Sequence, residues 1–371
     1  MKRIGWILLI LMAAAPASAA RKVTVQQLQD LLQSLQQAKK ADAEVADELM
    51  QIELTEELTK STMDSLISLV PGPLTANQMY VLEARSAMLA PPAADLPSAP
   101  APDAAAQKAL LDKAIDYATK TYAQLPHLTA TETTFRFQDL LNPPAAANSG
   151  TSKGGPFIYY VGSTDTQVES QGGAEILSEV KDTTPWGANG QITSHGQGPV
   201  LSTVVEEAQA AGKISWLRWE MVNGTKTAVF SFAVDKKKSH YALNYCCFPT
   251  TNQDRMNFAN QGLPAGMAGN IEASENWTPY KAPAPYHGEL FVDAQTGIVV
   301  RLITEADLKP FDTVHQEDTR IDYGAVTVDG KPLVVPVGTI VDTEVFPGNT
   351  DARGKRIALR TLFIADYKDY K

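Results

Sequence analysis

The apolar residues of this chain change their spacing once, near Leu128, and that change limits what the chain can fold into. Before it they recur at helical intervals, and after it they alternate. Thr24 and Gln27 form a capping box ahead of Leu28, Leu31, Leu32 and Leu35, which share one helix face. A second helix is expected from Asp42, with Val45 and Leu49 on its apolar side. Thr55, followed by Glu56 and Glu57, reads as a third helix start, because acids in a first turn complement the helix dipole. Leu58, Leu66, Ile67 and Val70 would be its buried face, ended by Pro71-Gly72-Pro73. Thr75 and Gln78 repeat the capping-box pattern for a fourth helix through Met79, Leu82 and Leu89. Short helices cannot each bury a stripe alone, so residues 20–90 are expected to pack as a small helical subdomain. Residues 91–103 form a Pro/Ala linker of semi-extended character. Asp103 then caps a further helix with Leu110, Leu111, Ala114, Ile115, Ala118 and Tyr122 on one side.

Beyond Leu128, Thr129, Thr131, Thr133, Phe135 and Phe137 fall on one face of a strand. Further alternating runs are separated by Asn223-Gly224, Asp235-Lys236, Asp293 to Gly297 and Asp329-Gly330, turn sequences that join antiparallel neighbours. One helix, from about Gly198 to Ala211, interrupts the series, and Leu141–Pro156 and Pro249–Ala284 read as long loops. The expected fold is α+β: a small N-terminal helical subdomain, then a large curved antiparallel β-sheet, an open half-barrel, with one or two packed helices over residues 104–371. Trp216 and Trp219 have odd spacing, which places them on opposite faces of one strand.

Residues 1–19 read as a secretory signal: Lys2 and Arg3, a short apolar run, Pro16, then Ala17-Ser18-Ala19 for cleavage before Ala20. The expected location is outside the cytoplasm, periplasmic or extracellular, with no stable membrane anchor after cleavage. The formal net charge is −10, and the leading stretch is itself basic, so the rest is more acidic still. That balance argues against nucleic acid or anionic lipid surfaces as partners. Lys236-Lys237-Lys238 reads as a solvated turn. Cys246 and Cys247 are the only cysteines and are adjacent, which leaves open a vicinal disulfide, two buried thiols or an intermolecular bridge.

No catalytic or cofactor motif stands out. Gly150-Thr151-Ser152-Lys153-Gly154 matches G-x-S-x-G, but a Pro/Ala loop precedes it and Gly155-Pro156 follows, so the strand and helix a nucleophile elbow needs are lacking. Ser178-Glu179-Val180-Lys181 matches S-x-x-K inside a strand-like run without its companion motifs. His127, His195, His240, His287 and His315 show no metal-ligand spacing, and no cofactor or metal is expected. His240 and His287 could still meet Glu289 or Asp293 across strands.

Tyr286-His287-Gly288-Glu289-Leu290, the Val292-Asp293-Ala294-Gln295-Thr296-Gly297 turn and Val300-Arg301-Leu302 resemble a group of exported bacterial proteins without an assigned function. Thr131-Glu132-Thr133-Thr134, Glu305-Ala306-Asp307-Leu308 and Asp322-Tyr323-Gly324 extend the resemblance over most of the chain. That group implies a cysteine near the position held here by Val335, where this chain departs from it. The V-D-x-x-T-G hairpin also resembles strands of the outer-membrane lipoprotein-carrier superfamily, whose half-barrel takes an acyl chain on its concave face. The resemblance is one of fold and does not itself assign function. With no catalytic motif in the chain, the expected function is a non-enzymatic envelope protein that binds an apolar ligand, a lipid or acyl group, over alternate strand residues such as Phe230, Phe232 and Leu290. A helix at 198–211 packed fully on those side chains would leave no cavity above them. The alternatives are an envelope protein-interaction module, marked by an exposed apolar stripe on the first helices, and a hydrolase built from dispersed His and acidic residues.

Overall fold

The computed structural model describes residues 20–139, 158–176, 193–194, 199–249, 277–310, 312–345 and 359–371. Residues 1–19, expected to be a signal, the G-x-S-x-G and S-x-x-K motifs and His195 lie outside the described residues.

Arg21–Val23 (β1) pairs in parallel with Ile52–Leu54 (β2), and Val25–Gln37 (α1) and Asp42–Leu49 (α2) lie between them. The α1 capping box is present, with Gln27 N–H donating to Thr24 Oγ1 at 3.2 Å and Thr24 N–H to Gln27 Oε1 at 2.9 Å. The third helix does not start at Thr55. It is Lys60–Leu66 (α3), capped by Thr59, whose hydroxyl accepts the Thr62 N–H. Glu56 turns back instead and accepts the Val25 N–H at 2.8 Å, so it complements the dipole of α1. The fourth helix, Pro73–Ser86 (α4), also starts earlier than the capping-box pattern predicts. Pro73 at its first position needs no amide partner, and Asp42 of α2 accepts the Leu74 and Thr75 N–H groups at 3.0 and 2.9 Å. Leu28, Leu32, Val45, Leu49, Ile52, Leu58, Met63, Leu66, Met79 and Leu82 make the core of this subdomain.

Ala104–Asp116 (α5) follows, capped by Asp103, and runs on through a π turn at Tyr117–Thr121 and a 3-10 turn at Tyr122–Gln124. The strands are Leu128–Asp139 (β3), Ile158–Gln171 (β4), Ala174–Glu175 (β5), Thr193–Ser194 (β6), Ser215–Val222 (β7), Thr225–Val234 (β8), Ala242–Pro249 (β9) and Trp277–Pro283 (β10). Tyr286–Asp293 (β11), Val299–Ala306 (β12), Val314–Val328 (β13), Lys331–Val345 (β14) and Leu359–Lys368 (β15) complete them, with one helix, Leu201–Ala211 (α6), before β7. Ten strands form one sheet in the order β5-β4-β3-β15-β14-β13-β12-β11-β8-β7, antiparallel at every step. Its ends do not pair with each other, so the curved sheet is open and the fold is α+β. Asn223-Gly224 and Asp329-Gly330 carry positive φ at both positions, the type I′ geometry that suits a right-twisted hairpin. Part of the predicted loop after Pro249 is a strand: β10 pairs with β9, and β6 joins them in a separate small sheet. Pro279 and Pro283 disguised it, since prolines are tolerated only on an edge strand.

Both faces of the large sheet are covered. On one, α5 and α6 pack over β8 and β11 to β13, with Leu201, Val204, Val205 and Ala208 in the same core as Phe230, Leu290, Leu302 and Ile321. On the other, α4 lays Val81, Ala84 and Ala87 against Phe137, Ile158, Ile340 and Leu362. Charge sits beside that apolar contact. Glu57, 2 % exposed, accepts from Arg301 at 3.2 Å and Arg320 at 2.7 Å. Both arginines also reach Asp322, at 2.6 and 2.8 Å. Removing one member of such a network leaves the others buried and unpaired. Glu57→Ala should therefore lower the unfolding free energy by about 3–5 kcal/mol in urea titrations, against about 1 kcal/mol for Glu56→Ala, which loses only a helix-end contact.

The same interface sets a pH dependence. Burial pushes the Glu83 carboxyl up to about 7 even with Arg320 nearby, and burial likewise pushes Asp139 up to about 7 although it accepts the Arg360 N–H. Burial also opposes ionisation of Asp322, but Arg301 and Arg320 outweigh it and hold that carboxyl at about 2. For Glu83 and Asp139 the folded chain binds protons that the unfolded chain has lost, so their contribution to stability declines as pH rises from the ordinary carboxylate range to about 7. Asp322 acts oppositely, and its contribution is lost only as pH falls through about 2. The urea midpoint should be higher at pH 5 than at pH 8, and Asp139→Asn should flatten that slope by about 1 kcal/mol per pH unit.

Candidate ligand-binding face

The register across the sheet builds the face under α5 and α6 as rows. In one row Phe230, Leu290, Leu302, Ile321, Thr339, Ala365 and Thr134 stand side by side. The next holds Phe232, Gly288, Thr304, Thr319, Val341, Phe363 and Arg136. A third runs through Glu317, Thr343, Thr361 and Gln138. The first row runs from Phe230 to Thr339 and Thr134, the second sets Thr304 and Thr319 between Phe232 and the Val341–Phe363 pair, and the third carries Thr343 and Thr361. Gly288 is needed where it stands: a Cβ there would come within 1.9 Å of the Ile303 carbonyl and 3.0 Å of Cζ of Phe232. The Phe232 ring thus reaches across the bare position toward β12.

The predicted ligand residues lie at the covered end of this face. Phe230, Phe232 and Leu290 are 2 %, 4 % and 2 % exposed and share one core with α5 and α6. Farther along, Val341, Ala365 and Phe363 are also buried, yet they belong to none of the clusters that the described helices build. The Arg136 guanidinium lies 4.9 Å over the Phe363 ring. Between the two ends stands Thr304, 1 % exposed, whose hydroxyl has no hydrogen-bond partner among the described residues. A buried hydroxyl without a partner costs about 1–3 kcal/mol, so it is a position that needs an explanation.

Tyrosines and carboxylates frame the face. Tyr286 donates to Glu207 Oε2 at 2.6 Å, and Glu207 Oε1 accepts the His240 N–H at 2.7 Å. Tyr241 donates to Glu317 and packs edge-on to Tyr286 at 5.4 Å. Burial pushes the phenols of Tyr241 and Tyr286 upward, so both remain protonated donors over the ordinary pH range. These contacts tie α6, the β8–β9 connection and β11 together at one end of the face.

The remaining sequence candidates are accounted for separately. The adjacent cysteines lie on β9, where Cys246 pairs with Thr193 through the backbone, and their side chains are outside what is described. His240 goes to Glu207, His287 to Asp307 at 2.9 Å, His315 to Glu344 at 3.2 Å and His127 to Glu169 at 3.1 Å. Glu289 is taken by Arg218 and Asp293 caps its own turn, so neither meets His240 or His287. Among the described residues no three of His, Cys, Asp and Glu are placed to hold a metal. Lys238 is more than a solvated charge: it donates to the Ala210 carbonyl at the end of α6. Val335 is packed in the helix-side core. The threonine row and Arg136 were missed as site residues, although Thr134, Thr304, Thr319 and Thr339 were visible as threonines inside alternating runs. Only the register reveals that they meet.

No protein-family profile matches this sequence, and no curated protein matches it significantly. Among solved structures, a LolA superfamily protein from Nitrosomonas europaea is similar, with 10% identity over 71% of this chain and 92% of that one, at a TM-score of 0.23. The assignment of the fold rests on the strand pairing of this chain. No described helix is long and apolar enough to cross a membrane.

Proposed function

We propose that this protein is exported to the cell envelope and holds an apolar ligand, a lipid or acyl chain, on the helix-covered face of its sheet, with no catalytic step. The observation that carries the reading is the row from Phe232 through Thr304 and Thr319 to Val341 and Phe363. It is buried, it runs on beyond the helix-packed core, and it offers a hydroxyl that no described residue satisfies. An amphiphile supplies both apolar body and hydrogen-bonding group, which suits such a strip better than a wholly polar substrate. Phe230 and Leu290 lie in the closed core under α6, with no cavity shown above them, so the proposed strip begins at Phe232.

The interaction-module reading has one observation of its own. Ile67, Leu74, Tyr80 and Leu89, on the N-terminal subdomain, are 43 %, 51 %, 43 % and 37 % exposed. Ile67 and Leu89 had been expected inside. Leu74 and Tyr80 stand six residues apart on α4, so they do not share one helix stripe, which suits scattered surface residues more than a docking stripe.

Native mass spectrometry of the protein purified from its own host should reveal a co-purified lipid, and cis-parinaric acid should bind and be displaced by unlabelled fatty acid. Thr304→Val is the sharper test. It should raise the stability of the ligand-free protein by about 1 kcal/mol, because an unsatisfied hydroxyl is gone, and weaken parinarate binding about tenfold. A rise in stability with unchanged affinity would remove Thr304 from the site. Export has its own measurement: the N-terminus of the protein recovered from the envelope fraction should be Ala20.

A further inference from the structure

The Pro/Ala linker is not a free spacer. It leaves the subdomain on one face of the sheet, where the Glu57 N–H donates to the Ala90 carbonyl at 2.8 Å, and ends at α5 on the opposite face. To do so it passes the edge strand β7, and there the Trp219 Nε1–H donates to the Pro100 carbonyl at 2.8 Å. Leu96 has φ −75°, ψ 133° and Asp103 has φ −66°, ψ 165°, both close to polyproline II. Pro97, Pro100 and Pro102 fix their own φ and keep Leu96, Ala99 and Ala101 extended. An extended proline segment beside an aromatic pair, with an indole N–H bonded to a proline carbonyl, is the chemistry of polyproline recognition.

The receiving surface is built for it. A β-bulge between Trp216 and Arg218 rotates the strand, so Trp216 and Trp219 share one face and not the opposite faces their spacing implies. Their rings meet edge-on at 4.8 Å, Trp216 is backed by Phe230 at 5.8 Å, and Lys226 lies 4.1 Å over Trp219. The strap carries Asp95 and Asp103 at its two ends, opposite in charge to that lysine. Beyond the pair, Leu217 and Met221 on the same edge strand are 44 % and 43 % exposed.

We propose that β7 carries a recognition site for extended proline-rich chain, that residues 97–102 occupy it in cis, and that it accepts an acid-flanked proline-rich segment of a partner protein when the strap is displaced. The tether keeps the cis segment at a local concentration of about millimolar, so even a weak intrinsic affinity keeps the site filled. A partner competes only if it binds better or is itself held nearby.

The test uses the full chain and a fluorescein-labelled peptide copying residues 96–103, read by anisotropy. The variant Pro97→Ser/Pro100→Ser/Pro102→Ser should bind the peptide saturably, about fivefold or more tightly than the unmodified chain. Adding Trp219→Phe to that variant should abolish binding while circular dichroism is unchanged. If the triple variant does not fold, Pro100→Ala provides the same comparison. Equal affinity of strapped and unstrapped chains, or binding that survives Trp219→Phe, overturns the proposal. A stable complex between the strap variant and the unmodified chain on size exclusion overturns the partner assignment, because the occupant is then a second copy.

Discussion

The carboxylate of Glu57, held between Arg301 and Arg320, is the contact on which the two-sided arrangement depends. Without it the two arginines on the subdomain face of the sheet would keep Asp322 and the more distant Glu220 as their ion-pair partners among the described residues. A face with that much charge is ordinarily a solvated one. Here a whole subdomain lies on it, and burying charge is tolerable only where every ion finds a partner with good geometry. Asp322 bridges both arginines, Arg218 joins Glu220 to Glu289, and the guanidinium groups of Arg301 and Arg218 lie over Phe291 at 5.5 and 5.8 Å. Such a network contributes less to net stability than an apolar contact of the same size would. What it supplies is register: Glu57 fits between two arginines on adjacent strands, so the subdomain has one seat.

That constraint explains why the local reading of Thr55 to Glu57 failed while other parts of the sequence were legible. The pattern Thr-Glu-Glu is a sound helix start, yet both acids are drawn away by partners remote in sequence, Val25 for Glu56 and the two arginines for Glu57. Thr24, Asp103, Asn223-Gly224 and Asp329-Gly330 were read correctly because their bonds close within a few residues. Alternation identifies the strands but does not say what covers either face of the sheet. Arg301, Arg320, Asp322 and Asp342 occupy positions that look solvent-facing, and nothing local reveals that a subdomain covers them. The threonine row failed for a related reason. Thr304, Thr319 and Thr339 belong to strands whose mutual register is set by pairing across the sheet, which no single run of sequence encodes.

Covering both faces of one sheet with parts of one chain forces the connection around an edge. The chain goes from α4 to α5 past β7, and an edge strand left open is a hazard because its free backbone groups invite another strand. Here the bulge at Trp216 to Arg218 breaks the ladder, and the strap lies beside it with proline carbonyls that accept a bond but cannot extend the ladder as donors. The same device serves two ends: it protects the edge, and it brings both indoles onto the side where the strap passes. A linker of Gly and Ser would have spanned the distance equally well, but at a greater entropic cost for each ordered residue.

The opposite face is governed by a different balance. Its apolar end is closed by helices, and its far end is lined with hydroxyl groups that an all-aliphatic core would omit. Thr→Val is nearly isosteric, so a chain under selection for stability alone would gain by replacing Thr304, whose buried hydroxyl has no partner among the described residues. Keeping a destabilising hydroxyl at the centre of a buried row is reasonable only if some state of the protein uses it. Among the described residues none does. A ligand with a hydrogen-bonding group beside an apolar body would use both properties of the row at once. The ligand-free chain would then bear the cost of an unsatisfied hydroxyl, and binding would return it.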